Sequence, residues 1–295
     1  MSKKEFFEKK FNIPRVFIYG ALGVLFVLGT GLFWRVLSLR NETVQVIFLD
    51  VGQGDAILVQ KGEKQILLDG GKDGKLILEK LGSHMPFWDR TIEAVIATHP
   101  DQDHIAGLLD VLDSYRVQAV LSSAAKSDSH TFASFEKALS AEQAKLLKQQ
   151  DEARFVLAED VFLETFGPVA TQGADSNAQS VAARLVVRDT RFLLLGDLPA
   201  KEEDSLAQNV QIKADVLKVS HHGSKYSTSA SFLETVGARD AVISVGARNS
   251  YGHPDADVLS RLKEQGMRIL RTDEKGDVLY ECTALPKGCS VKTQK

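Results

Sequence analysis

Residues 98–107 read THPDQDHIAG and bring His99, Asp101, Asp103 and His104 into six positions. The stretch follows an apolar run, 93–98, and leads into 105–115, where apolar residues recur at helical spacing. Four potential ligands at the junction of a strand and a helix are the strongest metal-site signal in the chain. Imidazole and carboxylate are the side chains that hold a metal where water must be activated. Taken alone, the same residues also suit a solvated loop with Asp103 near a helix start.

The distribution of histidine strengthens the signal. Of seven His, five fall in three short motifs, and only His84 and His130 stand apart. FLLLGD, 192–197, is an apolar strand that delivers Asp197 at its tip. ADVLKVSHHGSKYSTS, 214–229, is another buried-type strand ending in His221 and His222, and either can be the ligand. SYGHPDADVLSRL, 250–262, places His253 on a loop before a helix, where it can face a reacting group.

Around these motifs, Val-, Ile- and Leu-rich runs bounded by Gly, Asp and Ser predict strands at 44–51, 56–60, 64–69, 93–98, 117–122, 154–158, 161–166, 181–188, 191–195, 214–219, 240–245, 268–272 and 277–281. Helical spacing predicts helices at 75–81, 105–115, 132–150, 200–209, 229–236 and 255–265. Consecutive strands and then alternating helices and strands occur twice. That order predicts two mixed sheets packed together with helices outside, a four-layer α/β arrangement.

The 295 residues hold 36 Lys+Arg against 39 Asp+Glu, with 44% hydrophobic residues, which excludes wholesale disorder. Residues 1–40 take seven of the basic and two of the acidic residues, leaving 29 against 37 and a net charge of −8 beyond residue 40. A general nucleic-acid-binding module would be basic. Residues 16–34 are charge-free and, as a helix, span about 28 Å, close to the bilayer's hydrocarbon thickness. Lys3, Lys4, Lys9, Lys10 and Arg15 precede them, predicting a single-pass anchor with a cytoplasmic N-terminus and an extracytoplasmic domain. A cleaved signal peptide fits less well, its small-x-small site being poor, and a buried soluble helix is rarely apolar on all faces. The expected division is 1–40 tail and anchor, 41–285 catalytic domain, 286–295 tail. Cys282 and Cys289 are too few for a disulfide scaffold; they are either a small loop-closing disulfide, which an extracytoplasmic location permits, or two free thiols.

In order along the chain, FLDVGQGDAILVQ (48–60), LLDGG (67–71), THPDQDHIAG, LLLGD, the SHHGS region and YGHPDADVLSRL resemble one branch of the metallo-β-lactamase superfamily, with Asp101 where its HxHxDH signature has a second His. The branch is the extracellular metallohydrolase domain of ComEC-type DNA-uptake proteins, and the resemblance spans residues 44–272. It implies an αββα sandwich with His99 and Asp101 on a first metal, Asp103 and His104 on a second, Asp197 bridging, and His221 or His222 completing the second. Asp69 would support the ligands, and Gln53 and Asp55 would lie beside the metals. The segment SNAQSVAARLVV, 176–187, lacks the superfamily's third His for the first metal and offers Asn177 and Ser180, as this branch does. Oxygen donors in place of imidazole harden the site, favouring Mn²⁺ over Zn²⁺, with Mg²⁺ also suited.

The implied activity is hydrolysis of a phosphodiester, DNA above all, by metal-activated water, with Asp103 and His253 catalytic. Ser224, Lys225 and Arg248 are the expected phosphate contacts, and a separate channel subunit is a candidate partner. Small phosphodiesters, lactones, cell-wall phosphodiesters and a non-catalytic DNA-binding module are the competing expectations.

Overall fold

From Val44 to Val51 successive side chains enter different cores. Val44, Val46 and Phe48 join one buried cluster, whereas Ile47, Leu49 and Val51 join another. This period of two means a strand covered on both faces. The computed structural model describes residues 14–149, 152–166, 175–284 and 288–295, with backbone alone for residues 15 and 33–42. It divides the chain into two units, Met1–Glu42 and Thr43–Lys295.

The second unit holds two large sheets. One orders its strands Gly288–Thr293, Val278–Thr283, Val44–Phe48, Ile57–Lys61, Lys64–Leu68, Ala94–Ala97, Ala119–Ser122 and Lys145–Lys148. The other runs Arg268–Arg271, Asp240–Ile243, Val216–Lys218, Thr190–Leu194, Ala183–Val187, Val161–Thr165 and Arg154–Ala158. Each is antiparallel where consecutive strands form hairpins and parallel where helices intervene. The central core joins the sheets face to face: Val46, Phe48 and Ile66 from one share a cluster with Leu185, Phe192 and Val216 from the other. On the outer face of the first sheet, Ile77, Leu81, Ile105, Leu108 and Phe135 anchor helices Gly74–His84, Gln102–Ser114 and His130–Ala141. Leu206, Phe232, Leu233, Val258 and Leu262 do the same for Ala200–Asn209, Ala230–Val236 and Ala256–Glu264 on the second. Three apolar layers between four structural layers are the αββα sandwich.

Two expectations change. The helix expected over 132–150 stops at Ala141, and Lys145–Lys148 is an edge strand pairing in parallel with Ala119–Ser122. Leu147 packs on the central core while Leu146 is exposed, so the alternation is that of a strand, and the flanking lysines suit an edge. The segment 286–295, expected as a tail, contains Gly288–Thr293, which pairs residue for residue with Val278–Thr283. Cys282 and Cys289 face each other in that register and form a disulfide, so they are not free thiols.

The first unit contains the helix Arg15–Glu42, whose described side chains, 16–32, are exposed. Among the described residues no helix is long and apolar enough to cross a membrane. The side chains of residues 33 and 34 at the end of the expected span, and the basic residues expected before Arg15, lie outside the description.

Candidate metal centre

The parallel strands of both sheets end at one edge, and the loops leaving them carry the motif residues. Ala94–Ala97 leads to Thr98 and His99, Thr190–Leu194 to Asp197, and Val216–Lys218 to the turn Ser220–Gly223. Helix Gln102–Ser114 starts at this edge with Asp101 as its N-cap and Asp103 in its first turn, where the helix dipole favours a carboxylate. Two glycines let backbone close in on that helix. A Cβ at Gly54 would lie 1.9 Å from the Asp103 carbonyl oxygen, and one at Gly107 would lie 2.0 Å from that of Gly70.

Hydrogen-bond counting sets the direction of three imidazoles. The Thr98 hydroxyl donates its one proton to Asp69 Oδ2 at 2.7 Å, so at 3.0 Å it accepts from His99 Nδ1–H. His104 Nδ1–H donates to Asp69 Oδ2 at 2.8 Å, and His222 Nδ1–H to the Ser244 carbonyl at 2.9 Å. Each ring is pinned through Nδ1 and turns Nε2 inward, as metal-binding histidines do. The Nε2 atoms of His99, His104 and His222 and Oδ1 of Asp197 are buried without a hydrogen-bond partner. Four orphaned buried acceptors on one center are costly unless something electropositive sits among them.

The residues therefore fit a divalent cation. His99, His104 and Asp197 form one group, and Asp103, His104 and His222 another, each with potential ligand atoms within 4.8 Å of one another. Asp197 Oδ2 is central, 3.5 Å from Nε2 of both His104 and His222 and 3.8 Å from that of His99. Asp103 Oδ2 lies 3.3 Å from His222 Nε2 and accepts from Gln53 Nε2 at 3.4 Å.

The field of the centre is cation-seeking. Burial alone would lower the pKa of His222, but Asp197, Asp103 and Asp55 push it up to about 10. Burial likewise opposes the rise at His104, and Asp197 and Asp69 overcome it. Asp197 is held well below the usual carboxylate range: burial works against ionisation, and His222, His104 and His99 outweigh it. His99 is depressed to about 4 by burial and by the charge of His104. A proton and a metal thus compete for the same nitrogens.

His221 and His222 differ although adjacent. His222 is buried and belongs to two candidate ligand groups, whereas the His221 side chain is 27% exposed and its Nε2 is 3.9 Å from Asp197. Both adopt left-handed backbone, φ 51° and 54°, which costs about 1–3 kcal/mol at a non-glycine residue. The turn is held by buried Glu203, which accepts from Ser220 Oγ at 2.6 Å, from the Thr228 N–H and from the Thr228 hydroxyl.

Asp101 is half-exposed, at 42% for its side chain, and lies 3.9 Å from His99 Nε2. Its hydrogen bond comes from Ser176 Oγ at 3.0 Å, not from Asn177 or Ser180. Ser180 Oγ instead accepts from the Asp197 N–H at 3.2 Å, and Asn177 Oδ1 is buried without a partner. Asp55 bonds Lys218 Nζ at 2.7 Å; burial raises its pKa, but Lys218 and His222 bring it down to about 2. A cavity of about 80 Å³ is lined by Gln53, Asp101, Asp103, Asp197, His221, His222, Tyr251 and His253. The expected phosphate contacts do not line it. Ser224 is buried in the turn, Lys225 Nζ sits 5.2 Å from the Tyr226 ring centroid, and Arg248 is exposed. The hydroxyls after it are committed internally, Ser227 to the Leu198 carbonyl, Thr228 to Glu203 and Ser229 to Asp204.

Lys218 and Glu203 escaped the sequence reading. A lysine inside the apolar run VLKVS was the available signal for the first, since a fully buried lysine needs an anionic partner. Glu203 lies in an ordinary amphipathic helix and carried no signal.

Comparison with known proteins agrees with this geometry. ComE operon protein 3 of Bacillus subtilis is 31% identical over 300 residues, covering 92% of this chain and 37% of that protein. Competence protein ComA of Neisseria gonorrhoeae is 29% identical over 279 residues, covering 89% and 38%. The chain thus spans less than two fifths of the length of these relatives. Among solved structures, the metallo-beta-lactamase fold protein YhfI from Bacillus subtilis superposes with a TM-score of 0.54 at 14% identity, covering 81% of this chain and 99% of that one, which shows the fold. The family profile of the metallo-beta-lactamase superfamily matches residues 49–247, more than half of the chain and all of the converging ligands, and the chain belongs to that superfamily.

Proposed function

We propose that the protein is a metal-dependent phosphodiesterase that cleaves DNA. The observation that carries the hydrolase reading is the convergence of three Nδ1-pinned imidazoles, with bare Nε2 atoms, on the Asp197 carboxylate. The choice of DNA is supported by the competence relatives. When bound, one or two divalent metals, Mn²⁺ favoured by the oxygen donors, supply Lewis acidity toward phosphoryl oxygens and activation of water.

The chain's own residues do the rest. His99, Asp101, Asp103, His104, Asp197 and His222 hold the metal or metals, and Asp69 fixes two of the imidazoles. Asp103, at the cavity wall with Gln53 bonded to it, orients the attacking water and takes its proton at Oδ2. His221 and His253, with ring centroids 5.7 Å apart, put N–H groups at the cavity mouth toward the phosphate oxygens. Burial and the nearby His221 and His222 lower the pKa of His253, which keeps its ring neutral at physiological pH and able to pass a proton.

The same reading places residues 16–34 as a membrane anchor and the Thr43–Lys295 unit outside the cytoplasm, working with a separate channel subunit for DNA. The charge-free helical stretch with basic residues before it supports this, as does the disulfide, since such bonds persist in oxidising compartments.

The test is Mn²⁺-dependent cleavage of labelled single- and double-stranded DNA by the full chain, beside Asp103→Ala. Cleavage lost in the variant is the expected result. An inert wild-type protein with metal bound would remove DNA as the substrate.

A further inference from the structure

The cavity over the metal ligands is small, about 80 Å³, and Tyr251 and His253 are among the residues that line it. One rim residue is built for contact. Segment 246–254 joins the strand Asp240–Ile243 to the helix Ala256–Glu264, and the Asn249 side chain clips it together. Its Nδ2 donates to the Gly246 carbonyl at 2.9 Å and the His253 carbonyl at 2.7 Å, while Oδ1 accepts from the N–H groups of Tyr251 at 3.2 Å and His253 at 3.0 Å. Gly246 in turn packs against the site loop, where a Cβ would lie 2.8 Å from Gln53 N.

This clip presents Tyr251 in a particular way. Its side chain is 66% exposed, yet it lines the cavity, and its ring lies within 14° of parallel to the His253 imidazole at a centroid distance of 5.9 Å. An aromatic ring kept in water by a loop with four side-chain hydrogen bonds is preorganised, so a partner stacking on it orders little else. Flat ring surfaces of this kind are what unpaired bases stack on in single-strand binding.

We propose that Tyr251 is a stacking platform for an unpaired nucleobase next to the phosphate in the cavity, and that it makes the protein prefer single-stranded to duplex DNA. A paired base keeps both faces against its neighbours and cannot use the ring. The proposal rests on the phosphodiesterase reading above. Tyr226 is an internal control: it is similarly exposed, at 69%, but does not line the cavity.

The experiment measures KM and kcat of the full chain with Mn²⁺ on oligothymidylate and on an oligomer of the same length made of abasic tetrahydrofuran nucleotides. Tyr251→Ala should raise KM for oligothymidylate about 5- to 50-fold with kcat nearly unchanged. It should leave the abasic substrate unaffected, and Tyr251→Phe and Tyr226→Ala should behave as wild type. An unchanged KM on oligothymidylate, or equal losses on both substrates, overturns the proposal. If the wild type cleaves neither oligomer, the phosphodiesterase reading has failed, and anisotropy of labelled oligothymidylate decides the platform separately. Weaker binding by Tyr251→Ala alone supports it, and equal binding by both proteins overturns it.

Discussion

The two sides of the metal centre share Asp197, His104 and the supporting Asp69, yet differ in what else surrounds them. On one side His104 and His222 each bring a buried Nε2 to 3.5 Å from Asp197, and Asp103 approaches His222 to 3.3 Å. On the other side His99, next to the shared His104, is accompanied by Asp101, whose side chain is half in solvent. Behind the first side lie the Ser244 carbonyl and the Asp55–Lys218 pair, and Asp69 serves both His104 and, through Thr98, His99; behind Asp101 lies one serine hydroxyl. On the proposed reading, the difference teaches that one fold edge would hold metal unequally on its two sides. Imidazole with a fixed tautomer binds borderline metals well, whereas a solvated carboxylate favours harder, more loosely held ions.

The largest expected effect breaks the strong side. His222→Ala should reduce DNA cleavage about a thousandfold or more, with loss of bound metal measured on the purified protein. His221→Ala tests whether the adjacent histidines differ as their burial implies: metal content should be retained and turnover should fall by about 10- to 100-fold. Asp69→Asn keeps every ligand but removes the carboxylate that holds His99 and His104 through Thr98 and Nδ1. A loss of about 10- to 100-fold in metal affinity, by competition with a chelator, is expected. Asp101→Ala, on the weak side, should cost about tenfold and be partly rescued by raising the Mn²⁺ concentration.

A last test reads stability rather than turnover and concerns the turn that presents His222. Burial raises the pKa of Glu203 to about 7, above the roughly 4.3 of an unfolded chain. Its contribution to stability is complete below the unfolded value and is lost as pH rises through about 7, a difference of about 4 kcal/mol. Thermal melts from pH 5 to 8 should therefore fall more steeply for wild type than for Glu203→Gln. Parallel curves would remove Glu203 as the titrating group.

Most of the fold was legible because it rests on local pattern. Alternation at Val44–Phe48 and the apolar runs ending at Ala97 and Leu194 mark strands without knowledge of their partners. Lys145–Lys148 was not legible, because KLLK after a helix reads as one more helical turn until Ala119–Ser122 lies beside it. Gly288–Thr293 likewise depends on its hairpin partner and the disulfide. At the site, His99, Asp103, His104 and Asp197 announced themselves by spacing and by position at strand ends. The choice of His222 over His221 did not, for it depends on the Ser244 carbonyl, and Ser176 rather than Asn177 meets Asp101 only through the fold. Such long-range hydrogen bonds leave no local trace in the chain.

The measurement that reaches the central claim most directly is a Mn²⁺ titration of the full chain, followed by electron paramagnetic resonance, with His222→Ala and Asp101→Ala alongside. Two classes of site are predicted, the tight one abolished by His222→Ala and the weak one by Asp101→Ala. No bound metal, or a tight site lost in Asp101→Ala and kept in His222→Ala, would contradict the account.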